Sequence, residues 1–226
     1  MFSPTYTSRT LALAAALVCS ISAQAASLLV VVLDKDGKPT PDAVVTVVPT
    51  ARGLPQHAPP LQALVNQEKM QFIPAVTVVS PGARIRFINN DAWDHHVRLS
   101  SPGAAALATP SGAEGFSMRL EGKPDGKPAK FAEVTLDKAG ATGASLLGCF
   151  IHGSMTGNIF VAESPWTVKT DENGLALLDD LPEGPATVQV WHAVQLVDMP
   201  LQKVSLGTTP VRLTVQLNVV PRRRRG

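Results

Sequence analysis

The chain has 226 residues, 45% hydrophobic but only 5% aromatic, and a formal net charge of +2. That length allows one large domain or two small ones, with cores built from Val, Leu, Ile and Ala plus a few Phe and Trp. Without Arg9 and the run Arg222 to Arg225, the body carries 15 basic against 18 acidic residues, a mildly acidic balance that argues against a nucleic-acid-binding protein.

The first 25 residues read as a targeting segment. Arg9 supplies a positive start, Leu11 to Val18 an apolar run, and Ala23-Gln24-Ala25 a small-x-small cleavage site. A lipoprotein signal competes poorly, because Val18 precedes Cys19 where such signals want Gly or Ala. No later stretch approaches the roughly 20 apolar residues of a membrane-spanning helix. The expectation is a cleaved signal peptide, 1–25, and a periplasmic or secreted protein with no integral membrane span. Cys19 would leave with the signal, so Cys149 would be the sole thiol. In an oxidising compartment a lone Cys is either free and reactive or held by a metal.

Downstream, Leu28 to Leu33 is a Val-rich strand, Asp34 to Pro39 is turn chemistry, and Ala43 to Val48 is a second β-branched run. Pro49 to Gln67 reads as a connector containing Pro55, Pro59 and Pro60. Met70 to Pro74 and Val76 to Val79 are strand segments, and Ala83 to Ile88 alternates at period two before Asn89-Asn90-Asp91 ends it. Ser100 to Ala113 is a loop of small residues, Gly115 to Leu120 a short strand, and Phe131 to Leu136 another alternating strand. Ala139 to Ala144 is turn material leading to Leu146-Leu147, and Asn158 to Ala162 is the strand that follows Cys149. Thr170 to Gly174 reads as a hairpin turn, Leu181 to Pro185 as another hairpin turn, and Ala186 to Trp191, Val204 to Leu206 and Val211 to Leu217 as strands. No amphipathic helical period of useful length occurs after the N-terminal segment. The pattern predicts an all-β protein of sandwiches or barrels.

The stretch Gly148-Cys149-Phe150-Ile151-His152-Gly153-Ser154-Met155 places a thiol, an imidazole and a thioether in one short loop. A further imidazole is available at His95 or His96. Two His, one Cys and a weak axial Met form the blue-copper ligand set, which tolerates both copper oxidation states. Met disfavours structural zinc. A nucleophile–base pair of Cys149 and His152 has no orienting acid or oxyanion hole nearby. His57 reads as solvated, His192 as packing beside Trp191, and the Arg run as a solvated end.

Phe72-Ile73-Pro74, Phe87-Ile88-Asn89-Asn90-Asp91, His95-His96-Val97, the Cys149–Met155 loop and Trp191-His192 together resemble the cupredoxin family. The closer resemblance is to exported plastocyanin-like, methylamine-utilisation-type proteins, with a ligand loop of amicyanin-like spacing. The resemblance implies a Greek-key β-sandwich over residues 66–163. It also implies one type 1 copper ion on His95, Cys149, His152 and Met155, with His95 rather than His96 as the first ligand. The position after His95 is commonly Asn in plastocyanins, where it ties two loops together; here it is His96. Asp34 to Pro39 with Asp42 to Val45, and Thr170 to Gly184, resemble the two halves of a carboxypeptidase-regulatory or transthyretin-like sandwich. Those halves, 27–50 and 165–219, would have the copper domain inserted in or packed beside them, with a basic tail at 220–226. The function this implies is one-electron transfer, without catalysis of its own, to a transient partner such as a cytochrome or dehydrogenase. Copper delivery, or a structural or adhesion module, are the other readings.

Overall fold

The computed structural model describes residues 25–100, 116–137 and 144–221. Most of the stretch read as a targeting segment, most of the Ser100–Ala113 loop, most of the Ala139–Ala144 turn and the Arg run therefore lie outside the described residues. Within them the protein is all-β, with sixteen strands and no helix.

Strands from the two ends of the chain share one sandwich. One sheet joins β1 (Ala26–Leu33) to β13 (Leu175–Leu181) and, in parallel, to β16 (Val211–Gln216). The other runs β12 (Trp166–Lys169), β2 (Val44–Pro49), β14 (Gly184–Trp191) and β15 (Gln202–Leu206). Val30 and Val188 stand in different sheets but meet in one apolar core with Val45, Val47, Leu178 and Leu217. Neither the turn at Asp171–Gly174 nor that at Leu181–Pro185 is a hairpin, because each carries the chain from one sheet to the other. Gly174, at φ +69°, is needed at the first of them: a Cβ would stand 2.5 Å from the Val32 carbonyl oxygen.

The intervening strands make a second sandwich. Its sheets are β5 (Val76–Val79), β11 (Thr156–Val161), β10 (Ser145–Gly148), β7 (His95–Ser100) and β8 (Ser117–Leu120) against β4 (Gln71–Ile73), β3 (Gln62–Glu68), β6 (Ala83–Asn89) and β9 (Phe131–Leu136). Alternation builds it: in β6, Ala83, Ile85, Phe87 and Asn89 point inward while Arg84 and Arg86 point out. Strand β3 falls where the sequence read as a connector. Its inward positions are Val65 and Gln67, both fully buried, and the polar Gln62, Asn66 and Gln67 masked the period. The second sandwich thus begins at Gln62.

A small apolar junction joins the two bodies. Val44 of β2 packs with Val76 and Phe160, and the Phe160 and Trp191 rings lie 5.3 Å apart. Lys169 Nζ donates to the Val76 carbonyl at 3.3 Å and pairs with Asp42.

His192, next to that junction, is buried, and its Nδ1 accepts the Val194 N–H at 3.3 Å. Burial pushes its pKa below the ordinary 6.5, against the pull of Asp42 and the Pro41 backbone. The unfolded chain therefore takes up a proton on acidification before the folded chain does. Stability is fully present above about pH 6.5 and falls as pH drops below it, by no more than about 1.4 kcal/mol per pH unit from this residue. Urea midpoints measured across that range should fall with acid, and His192→Gln should flatten the slope. An unchanged slope would show that the proton is taken up elsewhere.

Candidate metal centre

Strands β10 and β11 are antiparallel neighbours, with Gly148 opposite Thr156, so the loop Cys149–Met155 closes one end of their sheet. The Met155 N–H donates to the His152 carbonyl at 2.9 Å, which folds the loop back on itself. Cys149 and Met155 point into the core, at 6% and 1% exposure, while Phe150 and Ile151 face outward. Strand β7 pairs with β10 on the other side, Gly148 opposite Arg98, so its first residue stands beside Cys149. Alternation along β7 turns His95, Val97 and Leu99 inward, leaving His96 half-buried. His95 is fully buried on the side of Cys149, whereas His96 is half-buried.

Three of the four candidate ligands converge. His95 Nδ1 and His152 Nδ1 are 3.1 Å apart, and Cys149 Sγ lies 3.9 Å from the first and 3.8 Å from the second. A triangle with those sides has its centre about 2.1 Å from every corner, the length of a first-row metal–imidazole bond and close to a metal–thiolate bond. Two imidazole nitrogens and a sulfur are thus already spaced for one ion. Met155 is buried in the same apolar cluster as Cys149.

The site's support lies partly in residues the sequence did not single out for it. Asp91 Oδ2 accepts the His95 Nε2–H at 2.7 Å, fixing the tautomer whose Nδ1 lone pair faces the centre of the triangle. The same carboxylate accepts the Lys69 N–H at 2.7 Å and the Met70 N–H at 3.1 Å. Those two residues form the β3–β4 turn, with φ of 52° and 58°, a left-handed pair that non-glycine residues adopt at a cost. Burial alone would raise the Asp91 carboxyl, but the hydrogen bonds from His95, Met70 and Lys69 outweigh it and hold it below the ordinary carboxylate range. Asn89 completes the frame. Its Oδ1 accepts the Asp91 N–H, and its Nδ2 is within 2.9 to 3.1 Å of the Trp93, Leu120 and Glu121 carbonyls. At Gly122 a Cβ would meet the Ala92 carbonyl oxygen at 2.3 Å, so only glycine lets these loops approach so closely. A carboxylate partner for a ligating imidazole was the signal available for Asp91.

His96 contributes through its backbone: its N–H points at Cys149 Sγ at 3.4 Å. Its ring stands 4.9 Å from the Phe150 ring, and the Arg98 guanidinium lies over that same ring at 4.8 Å. Phe150 is thereby gripped by two residues of β7, a tie between the Cys149–Met155 loop and that strand. Burial, and then the Arg98 charge, push the His96 pKa down. Among the remaining histidines, His57 is exposed near Asp179 and His192 belongs to the other sandwich.

No protein-family model and no curated protein matches the chain. Among solved structures, an amicyanin from Paracoccus versutus is similar at 19% identity, over 51% of this chain and 97% of its own, with a TM-score of 0.33. A pseudoazurin from Sinorhizobium is similar at 28% identity, over 46% of this chain and 75% of its own, with a TM-score of 0.32. A copper-containing nitrite reductase from Thermus scotoductus is similar at 21% identity, over 58% of this chain but only 28% of its own, with a TM-score of 0.34.

Proposed function

We propose that the protein is an exported one-electron carrier holding a single type 1 copper ion. His95, Cys149 and His152 would hold it strongly and Met155 weakly. The observation that carries this reading is the triangle of two Nδ1 atoms and one Sγ, with sides of 3.1, 3.8 and 3.9 Å around a common centre. The choice of copper follows from donor softness: a thiolate and a thioether favour copper, whereas thioether is a poor partner for zinc.

A copper ion bound there supplies reversible one-electron chemistry. The protein's own residues do the rest. Asp91 keeps the His95 ring oriented, so the ligand does not swing when the charge of the site changes. The His96 N–H draws electron density from the Cys149 sulfur, a lever on reduction potential. Full burial of His95 and near-full burial of Cys149 exclude water from that side. His152 is half-buried at the loop, beside exposed Phe150 and Ile151, and is the route by which an electron enters or leaves. The partner is a transient redox protein, a cytochrome or dehydrogenase, met through a small interface. The protein catalyses no substrate reaction of its own. The residues before Ala26 are its export signal, which sends it to the periplasm or outside the cell. Among the described residues no helix is long and apolar enough to cross a membrane. The outer sandwich is a transthyretin-like carrier for the inserted copper body.

The test is to add Cu(II) to the purified protein and record visible absorption and a voltammogram. The expected result is an intense thiolate-to-copper band saturating at one ion per chain, with a reversible one-electron wave. Tight Cu(I) binding with neither would replace electron transfer by copper delivery, and no binding would leave a structural or adhesion module.

A further inference from the structure

Beside Cys149, the strand pairing leaves one side chain of the loop with a task that the ligands do not explain. Strand β10 pairs with β7 through Leu146–Ser100, Leu147–Leu99 and Gly148–Arg98, and the ladder stops there. One residue further, Cys149 Sγ takes the His96 N–H at 3.4 Å, so the bond that acts on the sulfur lies just past the last backbone pair. Carried on by two residues, the same register sets Phe150 opposite His96. Phe150, His96 and Arg98 share the outer face of this sheet, because Cys149, Val97 and Leu99 turn into the core.

Phe150 is 64% exposed and has no core to enter, yet its ring has two partners. The His96 ring is tilted by 56° to it at 4.9 Å, and the Arg98 guanidinium is 4.8 Å from its centre. Gly148, across from Arg98, presents no side chain on that face, so the guanidinium reaches diagonally to Phe150. On its other side His96 meets β8, with Ser117 Oγ at 3.2 Å from Nε2. Its Nδ1 is buried and has no hydrogen-bond partner among the described residues, so no polar bond on that edge fixes the ring. The ladder with β8 holds the backbone of β7 in place from His95 to Arg98. The distance from the His96 N–H to the sulfur is therefore set by where the loop sits. Phe150, one residue after the thiol, is the loop's hold on the outer face of β7.

We propose that Phe150, clasped by Arg98 and His96, is a positioning residue that keeps the His96 N–H on the Cys149 sulfur. The consequence for reduction potential rests on the proposed copper reading, whereas the hold on the loop does not. A hydrogen bond to the thiolate weakens its donation of charge to an oxidised ion, so losing that bond favours Cu(II) over Cu(I). Phe150→Leu keeps bulk but removes the ring. It should shift the ratio of the two affinities about fivefold, which at roughly 59 mV per tenfold lowers the potential by about 40 mV. Phe150→Tyr should restore the native potential. Arg98→Gln should act in the same direction and add nothing once Phe150 is replaced by Leu. Full additivity would mean that the Arg98 charge acts on the ion directly, and would overturn the clasp. Amide exchange followed by NMR on the metal-free protein gives a second reading that needs no copper. In Phe150→Leu the His96 N–H should exchange about tenfold faster. The Leu99 N–H on the same strand, bonded to the Phe116 carbonyl at 2.9 Å, should keep its native rate. An unchanged His96 rate, or equal acceleration at both amides, overturns the proposal. A native protein that took up no copper would sink the metal reading instead, with the exchange rates still deciding the role of Phe150.

Discussion

Replacing Cys149 with Ser is expected to abolish the visible band proposed for the copper-loaded native protein, while leaving unfolding free energy within about 1 kcal/mol. The two halves of that expectation have separate causes. The band requires a polarizable thiolate bonded to copper, and Cys149 is the only free cysteine among the described residues. A serine hydroxyl is a hard donor with no comparable charge transfer, so no residual fraction of the band should survive. Stability is spared because Ser is nearly the same shape at this 6%-exposed position, and its oxygen can take the His96 N–H that the sulfur now accepts at 3.4 Å. Absorption and urea titration on the same sample check both halves. A band retained in the variant would move the metal away from this loop altogether.

Asp91→Ala is expected to lower metal affinity about 10- to 100-fold and to cost about 2 to 4 kcal/mol of stability. His95 is fully buried, so removing the carboxylate leaves its Nε2–H with no acceptor and frees the ring to adopt the other tautomer. The Lys69 and Met70 N–H groups lose their shared acceptor at the same moment, and the left-handed turn they form loses what holds it. The two contributions are separable. Met70→Gly in the Asp91→Ala background should recover part of the stability, since glycine adopts φ near 58° without strain, and none of the metal affinity. Isothermal titration with copper, alongside chemical unfolding, distinguishes them. If affinity stays within twofold of native, the histidine is oriented by something other than Asp91.

The ligand loop was legible because its chemistry is local: three ligand types fall within seven residues, and no long-range contact is needed to notice them. The choice of His95 over His96 came from family resemblance, yet period-two alternation along His95–Ser100 would have given the same answer, since inward Val97 and Leu99 place His95 on their side. Asp91 was read as the end of a strand and as part of a family motif, with no role at the site of its own. Its role depends on a turn contributed by residues 69 and 70, and no window around Asp91 contains that information. Strand β3 was missed for the opposite reason: Gln67 occupies a core position, so polarity contradicted burial. The turn at Asp171–Gly174 was recognisable from its Asp and Gly, but whether it returns to the same sheet or crosses to the next is decided by packing against Val32. The Phe160–Trp191 contact joins two bodies through residues 31 positions apart in sequence and in different strands, which periodicity alone cannot pair.

The pairing of β1 has a consequence for how the chain comes to be folded. Its aliphatic run, Leu28 to Leu33, is synthesised before every other described strand, but its neighbours Ala176 and Leu213 follow more than 140 residues later. The last strand of the inner sandwich ends at Val161, ahead of both β13 and β16, so the inner body can collapse first, bringing β2 and β12 side by side where Val47 meets Trp166. Until then β1 waits as an unpaired, β-branched edge, the kind of segment on which chains stick to one another. Weakening the inner body would therefore lengthen the wait, and substitutions around the metal loop should surface as aggregation during biogenesis as well as in the finished protein.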